Sequence, residues 1–426
     1  MFLAGTSIKS HMQRVKGFGE LICNFFVPRK NPLPKADFSN VRPSKDTVWA
    51  IIPTYKTPKT TQTLVEQIHT YNPDINVLLV DDHTPSENSQ NINKLRKKAR
   101  LKPWLEVIRT PVNSFRAGAS NFGLDYLSKL KRQPDYVICM DDDAVIEKDT
   151  ANILLNTLAS RPLTAAVCGN VCVANKNKNL LTRLQGLEYH NFNVSRLMDE
   201  GFIYGPLVVH GLMAAFSYKV IQEVGAFTPQ HLIEDYDLTA KLKHQGYHVG
   251  YASSSIVWTH VPETFGELWR QRVRWHYGGL FVLRNYLKFP LAILPDIIGH
   301  LFYIAIFSLV IVSFAIGKNY TIPFVLLITL AITSLINVVI SYIFNLYTLN
   351  YYKEKDTIDT IIRSLIIFEL GYSTLLSLVL LGSYFYYGYT QAVKPALQKL
   401  PLSGTIVRVF DRIFKSMGLT AFWGTR

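Results

Sequence analysis

The sequence predicts an α/β domain on a mostly parallel, Rossmann-like sheet, followed by an α-helical transmembrane region. Three observations carry this expectation. Short β-branched strands alternate with helix-length segments up to residue 140, carboxylates crowd the ends of two strands, and long uncharged apolar runs fill the last third of the chain. Strand–helix repetition favours parallel pairing, because a crossover helix returns the chain to the same end of the sheet, and ligands then gather at the carboxyl ends of the strands.

Residues 1–46 hold eight Lys or Arg against three acids and become Pro-rich towards their end, which suits a membrane-surface segment and a linker. Within them, apolar Leu21–Val27 is interrupted by Asn24 and too short to span a bilayer. No signal peptide is expected, so the following domain is placed in the cytosol. Val48–Pro53 predicts a first buried strand, 59–71 a helix, and Val77–Asp82 a second strand ending in Asp81 and Asp82. Leu105–Arg109, 115–131 and Tyr136–Met140 continue as strand, helix and strand, and Asp141, Asp142 and Asp143 follow directly. The domain is expected to occupy 47–286.

Residues 287–393 read as an interfacial segment and three apolar membrane segments: Ile297–Ile316, the run between Lys318 and Lys353, and Leu370 to Val393, none containing Asp, Glu, Lys or Arg. Each is long enough for a hydrocarbon core of ~30 Å. Residues 394–426 form a basic tail. Three crossings from a cytosolic start would put that tail outside, against the positive-inside tendency. Either the tail departs from the rule or one segment is re-entrant, and the third, with Gly371, Ser373, Gly382 and Ser383, is the expected candidate.

The formal charge is +14. A nucleic-acid partner is not expected, because the cations concentrate beside membrane-associated parts rather than on one binding face; from 390 to 426 six Lys or Arg face one acid, Asp411. Attraction to anionic headgroups accounts for both termini. The basic stretch Lys94–Lys102 reads as a solvated helix face. Four cysteines, Cys23, Cys139, Cys168 and Cys172, form no CxxC pair and predict reduced thiols rather than a metal or disulfide framework.

Three like charges in one loop are costly unless a cation neutralises them, and an ordinary acidic turn is the alternative. Further on stand Ile233-Glu-Asp-Tyr-Asp-Leu-Thr239 and Gln271-Arg-Val-Arg-Trp275. Acids at a helix start complement the helix dipole whatever else they do. Gln271, Arg274 and Trp275 share one face of a helix, where Arg offers charge-assisted bonds and Trp a flat apolar surface.

Together with Ile51-Ile-Pro-Thr-Tyr55 and Val80-Asp-Asp-His83, these motifs resemble the processive family-two glycosyltransferases, such as cellulose, chitin, hyaluronan and poly-N-acetylglucosamine synthases. The resemblance implies a GT-A nucleotide-sugar-binding fold over roughly 47–286. It implies that Asp143 and Asp141 hold Mg2+ or Mn2+ on the donor diphosphate, and that Asp82, with Pro53 and Tyr55 on the neighbouring strand end, reads the uracil of a UDP-sugar. It implies that Asp235 is the base for the acceptor hydroxyl, assisted by Glu234, and that Gln271 and Arg274 hold the donor diphosphate. Arg116, in Asn113-Ser-Phe-Arg-Ala-Gly118, is either a second diphosphate ligand or a surface residue. Gly211, in His210-Gly-Leu-Met213, would let an acceptor sugar approach closely, and Trp275 would stack on it. The terminal Trp423-Gly-Thr425 is similar to a motif near the end of related synthases.

The expected activity is inverting transfer to a growing polysaccharide at the cell membrane, with export. Ile233 stands where many relatives have Thr, and no amino-terminal membrane helices are expected. Three apolar segments are few for a pore, which leaves room for a homo-oligomer or an accessory subunit. The nearest alternative adds one sugar to a lipid phosphate or glycolipid acceptor. A transporter would carry its functional polar groups within its spans, and a hydrolase would have no use for the triple Asp.

Overall fold

The computed structural model describes residues 47–161, 163–200, 204–288, 293–316, 324–401 and 403–419, with side chains only partly described within 294–316 and 324–348. The segment Leu21–Val27, Cys23 and the terminal Trp423-Gly-Thr425 lie outside these residues. The chain forms two compact units. Among the described residues, the first comprises 47–178 and 192–262, the second 179–191 and 263–419.

In the first unit, β1 (Val48–Thr54), α1 (Lys59–Tyr71), β2 (Ile75–Asp81), α2 (Gln90–Ala99), β3 (Leu105–Arg109), α3 (Phe115–Ser128) and β4 (Tyr136–Met140) repeat the expected alternation. Buried β-branched and aliphatic side chains build these strands: Val48, Ile51, Ile52, Val77, Leu78, Leu79 and Val80 are all fully buried. Polar α2, with Ile92 and Leu95 facing inward, has the basic surface foreseen for Lys94–Lys102. Helix α3 approaches the sheet closely; a Cβ at Gly123 would lie 2.9 Å from Ile51 Cγ2.

Beyond β4 the chain departs from simple repetition. It continues through β5 (Val145–Ile146), α4 (Thr150–Ala159), β6 (Thr164–Val173), α5 (Leu180–Asp199), β7 (Met213–Ser217), α6 (Tyr218–Glu223), α7 (Glu234–His244) and β8 (His248–Thr259). All eight strands form one sheet in the order β3-β2-β1-β4-β7-β6-β8-β5. Strands β3, β2, β1 and β4 are parallel, β7 runs antiparallel to both β4 and β6, β8 is parallel to β6, and β5 pairs antiparallel with β8. The sheet is therefore mixed, with the parallel half that the sequence announces.

The chain leaves β1 for β2 and β3 on one side, then crosses to β4 on the other. The gap between the carboxyl ends of β1 and β4 is thus a topological switch point, where open α/β sheets bind ligands. Pairing of β1 with β4 stops at Ile51↔Cys139, two residues before Pro53, which has no N–H to donate. Thr54–Tyr55 and Asp141–Asp143 flank this opening.

In the second unit, the start of α5 joins α8 (Phe265–Tyr286), α9 (Leu294–Ile316), α10 (Phe324–Thr348), α11 (Thr357–Ser364), α12 (Ile366–Gly388), α13 (Lys394–Leu397) and α14 (Gly404–Ser416). A capping box at Thr264 and Glu267 starts α8 and satisfies its first free N–H groups. A second box, Asp356 with Asp359, starts α11. Val273 of α8 packs with Val379 of α12 and Leu419 in one small core. Among the described residues, one continuous helix, Ile366–Leu397, is long and apolar enough to cross a membrane. Helices α9 and α10 have 23 and 25 residues and coincide with the other two expected apolar segments.

Candidate active site

Three acids and one arginine meet at the carboxyl edge of the first unit. The guanidinium of Arg116, in the first turn of α3, donates from Nε to Asp141 Oδ1 (2.6 Å), from Nη1 to Glu234 Oε1 (2.6 Å) and from Nη2 to the Gly211 carbonyl. The Gly211 N–H donates in turn to Asp235 Oδ2 (2.9 Å), whose Oδ1 accepts from Tyr236 N (2.8 Å). Both oxygens of the Asp235 carboxylate are thereby oriented by backbone.

Burial disfavours the charge on Arg116, but Asp141, Glu234 and Asp235 outweigh it and hold the guanidinium above its ordinary range. Burial pushes the Glu234 carboxyl up, with Arg116 pulling it down and Asp235 adding to the rise. The dipole at the start of α7, whose first turn carries Glu234, Asp235 and Asp237 and whose last turn carries Lys241, Lys243 and His244, favours the anions as well. Asp237 turns away to accept from Thr228 Oγ1 (2.5 Å).

Arg116 is no surface residue. Its fork is engaged by protein partners on three nitrogens and its side chain is 19% exposed. The close approach foreseen at Gly211 also has a nearer occupant than a sugar: a Cβ there would lie 2.8 Å from Arg116 Nη2 and 3.0 Å from Cζ. Relieving that overlap requires the guanidinium to leave bonds it makes to two elements. Gly211→Ala is therefore expected to cost about 1–3 kcal/mol, the usual range for overpacking, read as a lowered thermal midpoint of the purified chain. His210 beside it is buried and driven down to about 3, chiefly by burial, so its neutral ring donates from Nε2 to the Gly169 carbonyl (2.8 Å).

The two strand-end acid groups divide in a way sequence alone does not reveal. Asp81 is wholly buried and structural: Oδ2 pairs with Arg96 (2.5 Å) and Oδ1 accepts from Thr84 N (2.9 Å). Asp82 Oδ1 accepts from Ser114 N (2.8 Å), Ser114 Oγ (2.9 Å) and Thr110 Oγ1 (3.1 Å). Its carboxylate therefore sits at the start of α3 and takes up an N–H group there. In the triple Asp, the middle residue ties the two strands across the switch point: Asp142 Oδ2 accepts from Thr54 Oγ1 (2.6 Å) and its carbonyl from Thr61 Oγ1 (3.1 Å). Asp141 and Asp143 are the half-exposed members, while Pro53 is buried within β1 and Tyr55 is exposed beyond it.

Gln271, Arg274 and Trp275 lie on α8 and belong to the second unit. Sequence reasoning passed over the residue between them. Arg272 is fully buried, donates from Nη2 to Glu188 Oε2 (2.5 Å) and stacks 4.0 Å from the centre of the Trp275 ring, so protein covers one face of the Trp275 indole. Glu188 Oε2 also accepts from Tyr372 OH (2.7 Å). Burial pushes Glu188 up against the pull of Arg272, whose own charge Glu188 sustains. A second arginine, Arg183, bridges Asp356 (2.7 Å) and Asp359 (2.9 Å), and buried Arg363 bonds Glu369 and Asn191. The hint in the sequence is that Arg272 stands three residues before Trp275 on the same helix. Gln271 Oε1 is buried without a hydrogen-bond partner among the described residues.

Residues 136–352, half of the chain, match the family model described as glycosyl transferase family group 2. The chain belongs to that family. The chain is 28% identical to a poly-beta-1,6-N-acetyl-D-glucosamine synthase of Staphylococcus epidermidis over 50% of this chain and 49% of that one. A synthase of the same name from Staphylococcus aureus strain COL is 27% identical over 51% of this chain and 52% of that one. The family-2 chain thus spans about half the length of the curated relatives it matches. A solved mannosyltransferase of Pyrobaculum calidifontis, in complex with GDP-Man and Mn2+, has a TM-score of 0.53 and 16% identity, over 89% of this chain and 97% of that chain. The fold is GT-A-like: a mixed sheet with a parallel half and flanking helices.

Proposed function

We propose that this family-2 glycosyltransferase is a multi-pass cell-membrane enzyme that extends a polysaccharide from a UDP-sugar, with inversion and with export of the product. The observation that carries the proposal is the meeting of Asp141, Glu234 and Asp235 around Arg116 and Gly211, at the end of the sheet where an α/β fold takes its ligand. The polysaccharide synthases among its relatives favour a polymer over a single addition, and N-acetylglucosamine, the sugar in their name, is the first donor to assay.

In this reading Asp235 takes the proton of the acceptor hydroxyl as that oxygen bonds to the anomeric carbon. The bond from that carbon to the diphosphate oxygen breaks on the opposite face, and the diphosphate leaves with the electron pair. Glu234 and Arg116 fix the loop that holds Gly211 and, through it, Asp235. Asp82, Pro53 and Tyr55 are assigned to the base of the nucleotide. Gln271, Arg274 and Trp275 are assigned to the same reaction by their motif, and the buried, unbonded Gln271 Oε1 suits a ligand hydroxyl.

Among the described residues no group of three or more His, Cys, Asp or Glu forms a cage for a metal ion. Asp141 and Asp143 nevertheless fit Mg2+ or Mn2+, since such hard ions bind through one or two carboxylates and complete their shell with substrate phosphates and water. An ion held there would neutralise charge on the departing diphosphate. Binding should then be interdependent: Asp143→Asn is expected to weaken Mn2+ uptake in the presence of UDP by at least ~10-fold, measured by electron paramagnetic resonance of free Mn2+. Unchanged uptake removes Asp143 from the ligand set. The whole reading is tested with purified enzyme and several UDP-sugars, following released UDP and product length. A product carrying a single added sugar would replace the polymerase reading with transfer to a lipid.

A further inference from the structure

The last described helix leaves an apolar stripe largely exposed, with Phe410 at its edge 5.5 Å from the Tyr389 ring. In α14, Ile406, Val409, Phe410 and Ile413, with Met417 just beyond, recur three or four residues apart, and they are 49%, 49%, 39%, 46% and 53% exposed. The neighbouring side of the helix makes its main protein contacts. Val407 is buried, Asp411 pairs with Lys394 (2.9 Å) and accepts from Tyr389 OH (2.8 Å), and the Phe414 ring stacks 4.8 Å from Tyr389. Arg408, Arg412 and Lys415, four and three residues apart, occupy the side away from the exposed stripe. A helix of a soluble domain turns its apolar stripe into the core. This one is anchored along a narrow edge and turns the stripe outward, with cations opposite, the pattern of a helix lying in the plane of a membrane interface.

Its anchor lies at the matching depth. The helix Ile366–Leu397 has 32 residues, about 48 Å at 1.5 Å per residue, well beyond the ~30 Å hydrocarbon core. Its later turns carry Tyr384, Tyr386, Tyr387 and Tyr389, the residue type that collects at the boundary between lipid and water. Tyr386, Tyr389 and Lys394, from this same stretch, hold α14 by ring contacts and an ion pair, and Phe414 also packs against the small core of Val273, Val379 and Leu419.

We propose that α14 docks on the bilayer surface with its apolar stripe among the upper acyl chains and its cations among anionic headgroups. The excess of six Lys or Arg over one acid between 390 and 426 selects the anionic, cytosolic leaflet. The proposal rests on the reading that Ile366–Leu397 crosses the membrane, and it places the end of that helix on the cytosolic side.

The test uses the full chain in nanodiscs of phosphatidylcholine with a minority of phosphatidylglycerol. An environment-sensitive fluorophore is attached singly at Val409→Cys, Arg412→Cys or Leu378→Cys in a Cys23→Ser background. Nitroxide lipids labelled near the headgroup should quench position 409 several-fold more than 412, and mid-chain nitroxides should quench 378. Omitting phosphatidylglycerol, or combining Arg408→Glu, Arg412→Glu and Lys415→Glu, should reduce quenching at 409. Weak, equal quenching at 409 and 412 with strong quenching at 378 overturns the docking and spares the membrane reading. Loss of quenching at 378 as well overturns both. Cross-linking of position 409 to a second copy, without lipid quenching, makes the stripe a protein interface and also overturns the proposal.

Discussion

Asp235→Asn is expected to abolish sugar transfer while the enzyme stays folded and still binds donor. The carboxylate accepts two backbone N–H bonds, one on each oxygen. The amide keeps one acceptor and turns its NH2 towards the other donor, a loss of roughly 1–3 kcal/mol in stability. Removing a general base lowers turnover by about 10²–10⁴-fold, or roughly 3–5 kcal/mol of transition-state stabilisation. The two effects separate by measurement. Released UDP should fall to background, whereas the thermal midpoint should fall only modestly and UDP affinity should stay within a few-fold of the parent. Parental turnover in this variant would take the base role from Asp235.

Arg116→Met is expected to have the largest effect on stability in the first unit, and that effect should depend on pH. Arg116 is the counter-charge shared by Asp141 and buried Glu234. Removing one member of a buried pair leaves an uncompensated charge at a cost of about 3–5 kcal/mol. Glu234 is already raised above 4.5, first by burial, and Arg116 is what pulls it back. Without the arginine its folded value rises further, so the folded chain holds a proton that the unfolded chain releases. Stability lost in that way grows as pH climbs from the ordinary carboxylate value through the raised one, and is recovered below it. Thermal unfolding of the variant should lie further below the parent at pH 8 than at pH 5. An equal deficit at both values would mean that Glu234 does not feel Arg116. Arg116→Lys, which keeps the charge but lacks the planar fork, should recover part of the stability at most.

Much of the parallel half of the sheet was legible in the chain. Val48–Thr54 and Tyr136–Met140 are short, mostly buried strands, Leu105–Arg109 is a short edge strand, and Lys59–Tyr71 has helical spacing, so their patterns announce them. The antiparallel β7 was not anticipated. Met-Ala-Ala-Phe-Ser carries little β-branched signal, and its place between β4 and β6 is set by pairing rather than by propensity.

The candidate site divides along the same line. Acids that follow strands could be picked out because the carboxyl ends of parallel strands are where an α/β sheet exposes its chemistry. Which of them are structural could not. Asp81 and Asp82 are adjacent in sequence, yet one is locked by Arg96 and the other caps α3.

By itself the sequence determined the family motifs, the carboxylates available to a sugar donor and the apolar runs of the last third, since these depend on residue type and local spacing. Only tertiary structure decided that Arg116 is the hub of the acid cluster, that Gly211 is small to admit its guanidinium, and that Arg272 is buried against Glu188. The reason is separation along the chain. Arg116 meets Glu234 across 118 residues, Glu188 meets Arg272 across 84, and Tyr372 meets Glu188 across 184. Such pairings follow from burial forcing each charge to find a partner wherever the folded backbone brings one.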